Sequence, residues 1–144
     1  MPSDMHWYIP ERVVYVRETG VLHLKEVRAS NEKARGYLGR SPHPIHFLID
    51  HTKLEEAPKS LSALVSNLDT FRHPNMGWLV VFGHDNNRFF RALGRFITQF
   101  FGVNMREVDT LDQALMFLIE LDDSLEPLIL EILQRQMQSQ RHRS

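Results

Sequence analysis

The chain has 144 residues, and its 17 Lys and Arg against 18 Asp and Glu give a net charge of −1, with no global electrostatic pull toward nucleic acid or acidic membrane. Hydrophobic residues at 42% and charged residues at 24% match one globular domain with its own core. Without cysteine there are no disulfides, thiolate metal sites or cysteine nucleophiles. No apolar run approaches the roughly 20 residues of a membrane span. The first residues also lack the charged and apolar regions of a signal peptide, so a cytoplasmic protein without stable membrane insertion is expected.

Residues 5–9 read as a short strand closed by Pro10. Val13 to Arg17 is β-branched and aromatic, a second strand, with Glu18-Thr19-Gly20 as the turn after it. From Leu22 the spacing becomes helical through Leu24, Val27, Ala34, Tyr37 and Leu38, and Gly39 ends that helix. Ile45 to Asp50 is the next strand, and residues 53–57 form a polar connector. Pro58 suits a first helical position, with Leu61, Leu64, Val65 and Leu68 forming the stripe of a helix that runs to about Phe71. Trp78 to Phe82 is a further strand, and Gly83-His84-Asp85-Asn86 is a loop with an Asn cap. A Phe-rich helix covers residues 88–101, and residues 103–108 alternate as an edge strand. Two amphipathic helices close the chain, the second carrying Leu125, Leu128, Ile129, Ile132 and Leu133 behind an Asp123 cap, before a polar, fraying end.

The order β-β-α-β-α-β-α-β-α-α predicts an α/β fold: a mixed, mostly parallel sheet of four to five strands with helices on its faces. The runs 45–50 and 78–82 are strands buried on both faces, each ending abruptly in polar residues. If they are parallel neighbours, Asp50, His51, Thr52, His84, Asp85, Asn86 and Asn87 share the carboxyl edge of the sheet, where open α/β folds bind ligands and partners. Helix starts near Pro58 and Asn87 would add free N–H groups there. Asp and Asn also cap helices and solvate loops in general, so the cluster carries a structural reading beside the functional one.

Trp7, Gly20-Val21-Leu22 before the first long helix, the strand closing on Asp50, and Thr110-Leu111-Asp112-Gln113-Ala114-Leu115 together resemble the SpoIIAA-like, or STAS, domains. That family comprises anti-anti-sigma antagonists and modules of anion transporters, and the resemblance spans roughly residues 5–121. It implies a regulatory module that binds a protein, not an enzyme. The family motif Asp-Ser-Ser/Thr-Gly, whose hydroxyl takes a phosphate, corresponds here to Pro58-Lys59-Ser60-Leu61. Only the hydroxyl of Ser60 survives, so no phosphorylation is expected there.

His43, His46, Asp50 and His51 do not form a metal site, because a strand points His46 and Asp50 to one face and His51 to the other. His46 is expected under a helix with a ring nitrogen bonded to backbone. Arg88, Arg91 and Arg95 form one strip of the Phe-rich helix, able to grip carboxylates or phosphates and equally the ordinary solvated face.

The reading reached is a STAS-like domain over residues 1–121, a helix over 122–138 docked on the domain or on a second copy as a homodimer, and a disordered tail over 139–144. It acts by binding a protein partner through Asp50, His51, Thr52, Ser60, His84, Asp85, Asn86, Asn87 and Arg88, with no cofactor and no metal. Two alternatives stand beside it. One is a carrier of a small apolar or lipid-like ligand between the Phe-rich helix and the sheet, and the other is an enzyme using Asp50 and His84.

Overall fold

The computed structural model describes residues 3–83 and 88–141. Five strands lie in the order β1-β2-β3-β4-β5: Ser3–Ile9, Val13–Val21, Ile45–Glu56, Met76–Phe82 and Met105–Val108. The first pair is antiparallel and the other three pairs are parallel. Strands β3 and β4 are thus the parallel neighbours expected from their apolar runs, and β5 is the expected edge.

Side chains alternate between two layers. Val14, Val16, Phe47 and Leu79 face helices α1 (Leu24–Leu38) and α3 (Arg88–Phe101). Val13, Tyr15, Leu48, Val80 and Phe82 face α4 (Leu111–Leu121) and α5 (Glu126–Arg141). Leu125 and Ile129 are fully buried in that second layer, and Ile132 and Leu133 pack against it. The terminal stripe therefore covers the chain's own sheet, while Leu128 stays partly exposed. Asp122, not Asp123, provides the cap, its Oδ1 accepting from the Ser124 N–H and hydroxyl before a 3-10 turn leads into α5. Helix α5 continues to Arg141, past the expected end at 138 and into the expected tail.

Two strands are longer than their sequence suggests. Strand β2 runs through Glu18-Thr19-Gly20, which is not a turn, and β3 runs through Lys53 to Glu56, which is not a connector. Each supplies the other's backbone partners: Thr19 opposes Lys53, Gly20 opposes Leu54 and Val21 opposes Glu56. Pairing with β4 stops where Asp50 meets Phe82, so the ends of β2 and β3 overrun the sheet as a two-stranded ribbon. Helix α2 consequently starts late. It spans only Leu61–Ser66, Ser60 is its N-cap with Oγ accepting from the Ala63 N–H at 3.3 Å, and Pro58 lies outside it. A separate 3-10 turn, Asp69–Arg72, follows.

His46 Nδ1 accepts the Trp78 N–H at 2.9 Å, the backbone bond expected of it. The contact needs Gly77, where a Cβ would stand 2.5 Å from that nitrogen and 2.8 Å from the Ile45 carbonyl oxygen. Burial holds the His46 pKa down, with Asp122 and Arg12 pulling in opposite directions.

Candidate functional site at the end of the sheet

Asp50 is 4% exposed at the last position where β2, β3 and β4 are all paired. Its Oδ1 accepts the Thr52 N–H at 2.9 Å and the Thr52 hydroxyl at 2.6 Å. Its Oδ2 accepts the Tyr15 hydroxyl at 2.5 Å and faces Arg17 Nε at 3.5 Å. Those contacts fill three of the roughly four acceptor positions of a carboxylate and set a guanidinium beside it. Burial raises the Asp50 pKa, but the Thr52 and Tyr15 hydrogen bonds and the Arg17 charge outweigh it and hold the group below its ordinary value. Tyr15 moves the other way, pushed up to about 12 by burial and by its bond to Asp50, with Arg17 opposing.

The local backbone explains the arrangement. Arg17 opposes Asp50 and Thr19 opposes Lys53, so β3 carries one extra residue at this point. That bulge lets Thr52 fold back onto Asp50. Gly83 closes the same corner from β4 at φ +93, where a Cβ would meet the Thr52 nitrogen at 2.6 Å.

His51 occupies the opposite face, as its position in the strand requires, and its Nε2 bonds Glu18 Oε1. Val14, Val16 and Glu18 on β2 and Phe47, Ile49 and His51 on β3 alternate onto that face, which borders an apolar cavity of about 170 Å³. Phe47, Ile49 and Val81 line its sheet side, and Val27, Leu64 and Leu93 line its helix side.

The expected cluster is thus divided. Buried Asp50 and exposed Thr52 form one hydrogen-bonded unit, while His51 belongs to the other layer with Glu18. Ser60 is separated from Asp50 by on the order of 20 Å of further strand, six residues at the usual rise, plus a short link. Being only six residues long, α2 offers no helix terminus suited to an anion. His84, Asp85, Asn86 and Asn87 lie outside the described residues, so the Asp50/His84 pairing does too. Arg88 opens α3, with its side chain outside the described ones. Arg91 and Arg95 are on the exposed side of α3. Among the described residues no group of three or more His, Asp or Glu is arranged to hold a metal ion, and no helix is long and apolar enough to cross a membrane. Tyr15, Arg17, Glu18 and Gly83 were missing from the sequence-based set. The alternation of β2 puts Tyr15 and Arg17 on one face and Glu18 on the other, but only the register assigns them to Asp50 and His51.

Solved structures similar to this chain have the same architecture. A DUF3478-family protein with a SpoIIAA-like fold from Shewanella loihica is 14% identical, with a TM-score of 0.58, over 80% of this chain and 90% of that one. This chain has the SpoIIAA-like fold. The anti-sigma factor antagonist SpoIIAA in its unphosphorylated form is 14% identical, with a TM-score of 0.51, over 82% of this chain and 97% of that one. The phosphorylated form of SpoIIAA, the Bacillus cell fate determinant, is 13% identical, with a TM-score of 0.51, over 81% and 98%. No family model and no curated protein matches the sequence.

Proposed function

We propose that this chain is a regulatory STAS-like module that acts by binding a protein partner, not by catalysis, through the ribbon where β3 overruns the sheet and the link to Ser60. The engagement of Asp50 carries this reading. A carboxylate with three hydrogen bonds, an ion pair and a lowered pKa is a poor general base, and its partners are the groups that hold the strand ends together. Beyond it the chain presents exposed Lys53, Glu55, Glu56, Lys59 and Ser60, a surface of mixed charge. Mixed charge suits recognition of another protein better than capture of an anion. Likeness in fold to an anti-sigma factor antagonist supports the same direction. The Ser60 hydroxyl is engaged as a helix cap, consistent with its having no need of a phosphate.

Photo-crosslinking residues placed singly at Glu55, Lys59 and Gln136 in the native host test this. The expected result is one discrete protein adduct from Glu55 and Lys59 and none from Gln136, an exposed position on α5. Adducts from Gln136 alone, or from none of the three, would overturn the assignment of the surface.

A further inference from the structure

The cavity beneath α1, α2 and α3 lies on the opposite side of the sheet from Asp50, and although Leu54, Ala57 and Pro58 of the ribbon and its link border it, ligand binding there does not rest on the protein-binding reading. Its volume of about 170 Å³ is close to that of apolar cavities of about 150 Å³, which stay dry and take up benzene. Its walls come from three helices, from the sheet out to its edge strand, and from Leu54, Ala57 and Pro58 at the base of the ribbon and its link, and they are mostly aliphatic and aromatic. The acidic and basic side chains in the wall, among the described residues, are Glu18, His51 and Glu107. Glu18 and His51 are largely buried and bonded to each other, whereas Glu107 is exposed on the edge strand. No Lys or Arg among the described residues lines the space.

From size and charge together we propose that this cavity binds a compact neutral molecule of roughly six to ten non-hydrogen atoms, bearing at most one hydroxyl that donates to Glu18. A carboxylate of the same length is disfavoured. It would bring negative charge beside the largely buried Glu18 with no Lys or Arg in the described wall to neutralise it, against a mostly apolar lining that does not replace a lost hydration shell. A hydroxyl fits because the Glu18 carboxylate accepts from more than one donor at once, so its bond to His51 need not break.

The test compares 1-hexanol with hexanoate at neutral pH against the full-length chain, following methyl NMR signals. Saturable shifts at Leu64, Leu93 and Ile97 are expected with 1-hexanol, and binding of hexanoate should be weaker by about tenfold or more. Glu18→Gln should narrow that difference. Val27→Phe, or Leu64→Phe if the first does not fold, should fill the space and abolish the shifts. The proposal is overturned if neither probe saturates, if hexanoate binds as tightly as 1-hexanol, or if a folded cavity-filled variant still binds. None of these outcomes bears on the crosslinking at Lys59.

Discussion

The Tyr15 hydroxyl donates to Asp50 Oδ2 at 2.5 Å across the β2–β3 pair, in the layer covered by α4 and α5. Tyr15 is itself core, 7% exposed and packed near Phe82, so the bond ties the hydrophobic layer to the polar end of the sheet. It also keeps Asp50 ionised, with Thr52 and Arg17, where burial alone would favour the neutral acid.

Tyr15→Phe should therefore destabilise the fold by about 1.5–3 kcal/mol at pH 7, the range for a hydrogen bond to a charged group. The pH dependence has two limbs of opposite sign. Asp50 is held below its ordinary value, so its contribution is present above about pH 4 and is lost as pH falls through and below that point. Tyr15 is raised from 10.0 to about 12, so the unfolded chain ionises first and stability falls as pH rises through that interval. Urea unfolding across pH 3–12 checks both. In Tyr15→Phe both losses should shrink, the alkaline one because the hydroxyl is gone and the acid one because Asp50 loses a bond that holds its folded pKa down, and an unchanged alkaline limb would refute the burial of this hydroxyl.

Gly83 and Gly36 make a matched pair. At Gly83, Ala adds a strained positive φ to a collision with the Thr52 backbone, and should cost about 2 kcal/mol or more. Gly36 lies inside α1, where a Cβ would meet nothing within 4 Å, so Ala there should stabilise by about 0.5–1 kcal/mol. Thermal melts of the two variants decide it. A Gly83→Ala protein as stable as the parent would mean that β4 does not press on Thr52 as described.

What could be read from the sequence was what local pattern controls. Runs 45–50 and 78–82 are mostly apolar because both faces are covered, and Gly39 closes α1 at the residue expected. The ribbon beyond Asp50 escaped because Glu18-Thr19-Gly20 and Lys53 to Glu56 are polar and carry the chemistry of a turn or connector. They are strand because two segments distant in sequence complete each other's hydrogen bonds, which no window along the chain reveals. The same non-local register hid Tyr15 and Glu18, whose partners lie 35 and 33 residues away. From the Phe-rich helix, Leu93 and Ile97 line the apolar space against the sheet.

The terminal helix offers the last and simplest test. Leu125 and Ile129 are 0% and 1% exposed against Val13, Tyr15 and the α4 side chains, whereas Leu130 on the same helix is 47% exposed. Ile129→Ala removes buried methyl groups and leaves a void between α5 and the sheet, a change that costs about 2–5 kcal/mol. Leu130→Ala removes as much hydrocarbon from a surface position and should stay within about 0.5 kcal/mol of the parent. The contrast between the two, read from urea midpoints at equal protein concentration, separates docking on this sheet from docking on a second copy. If α5 packed its inner stripe on a partner chain instead, the Ile129→Ala loss would grow from near zero as protein concentration rises, because mass action would stabilise the more tightly associating parent more than the variant. A loss independent of concentration is expected here.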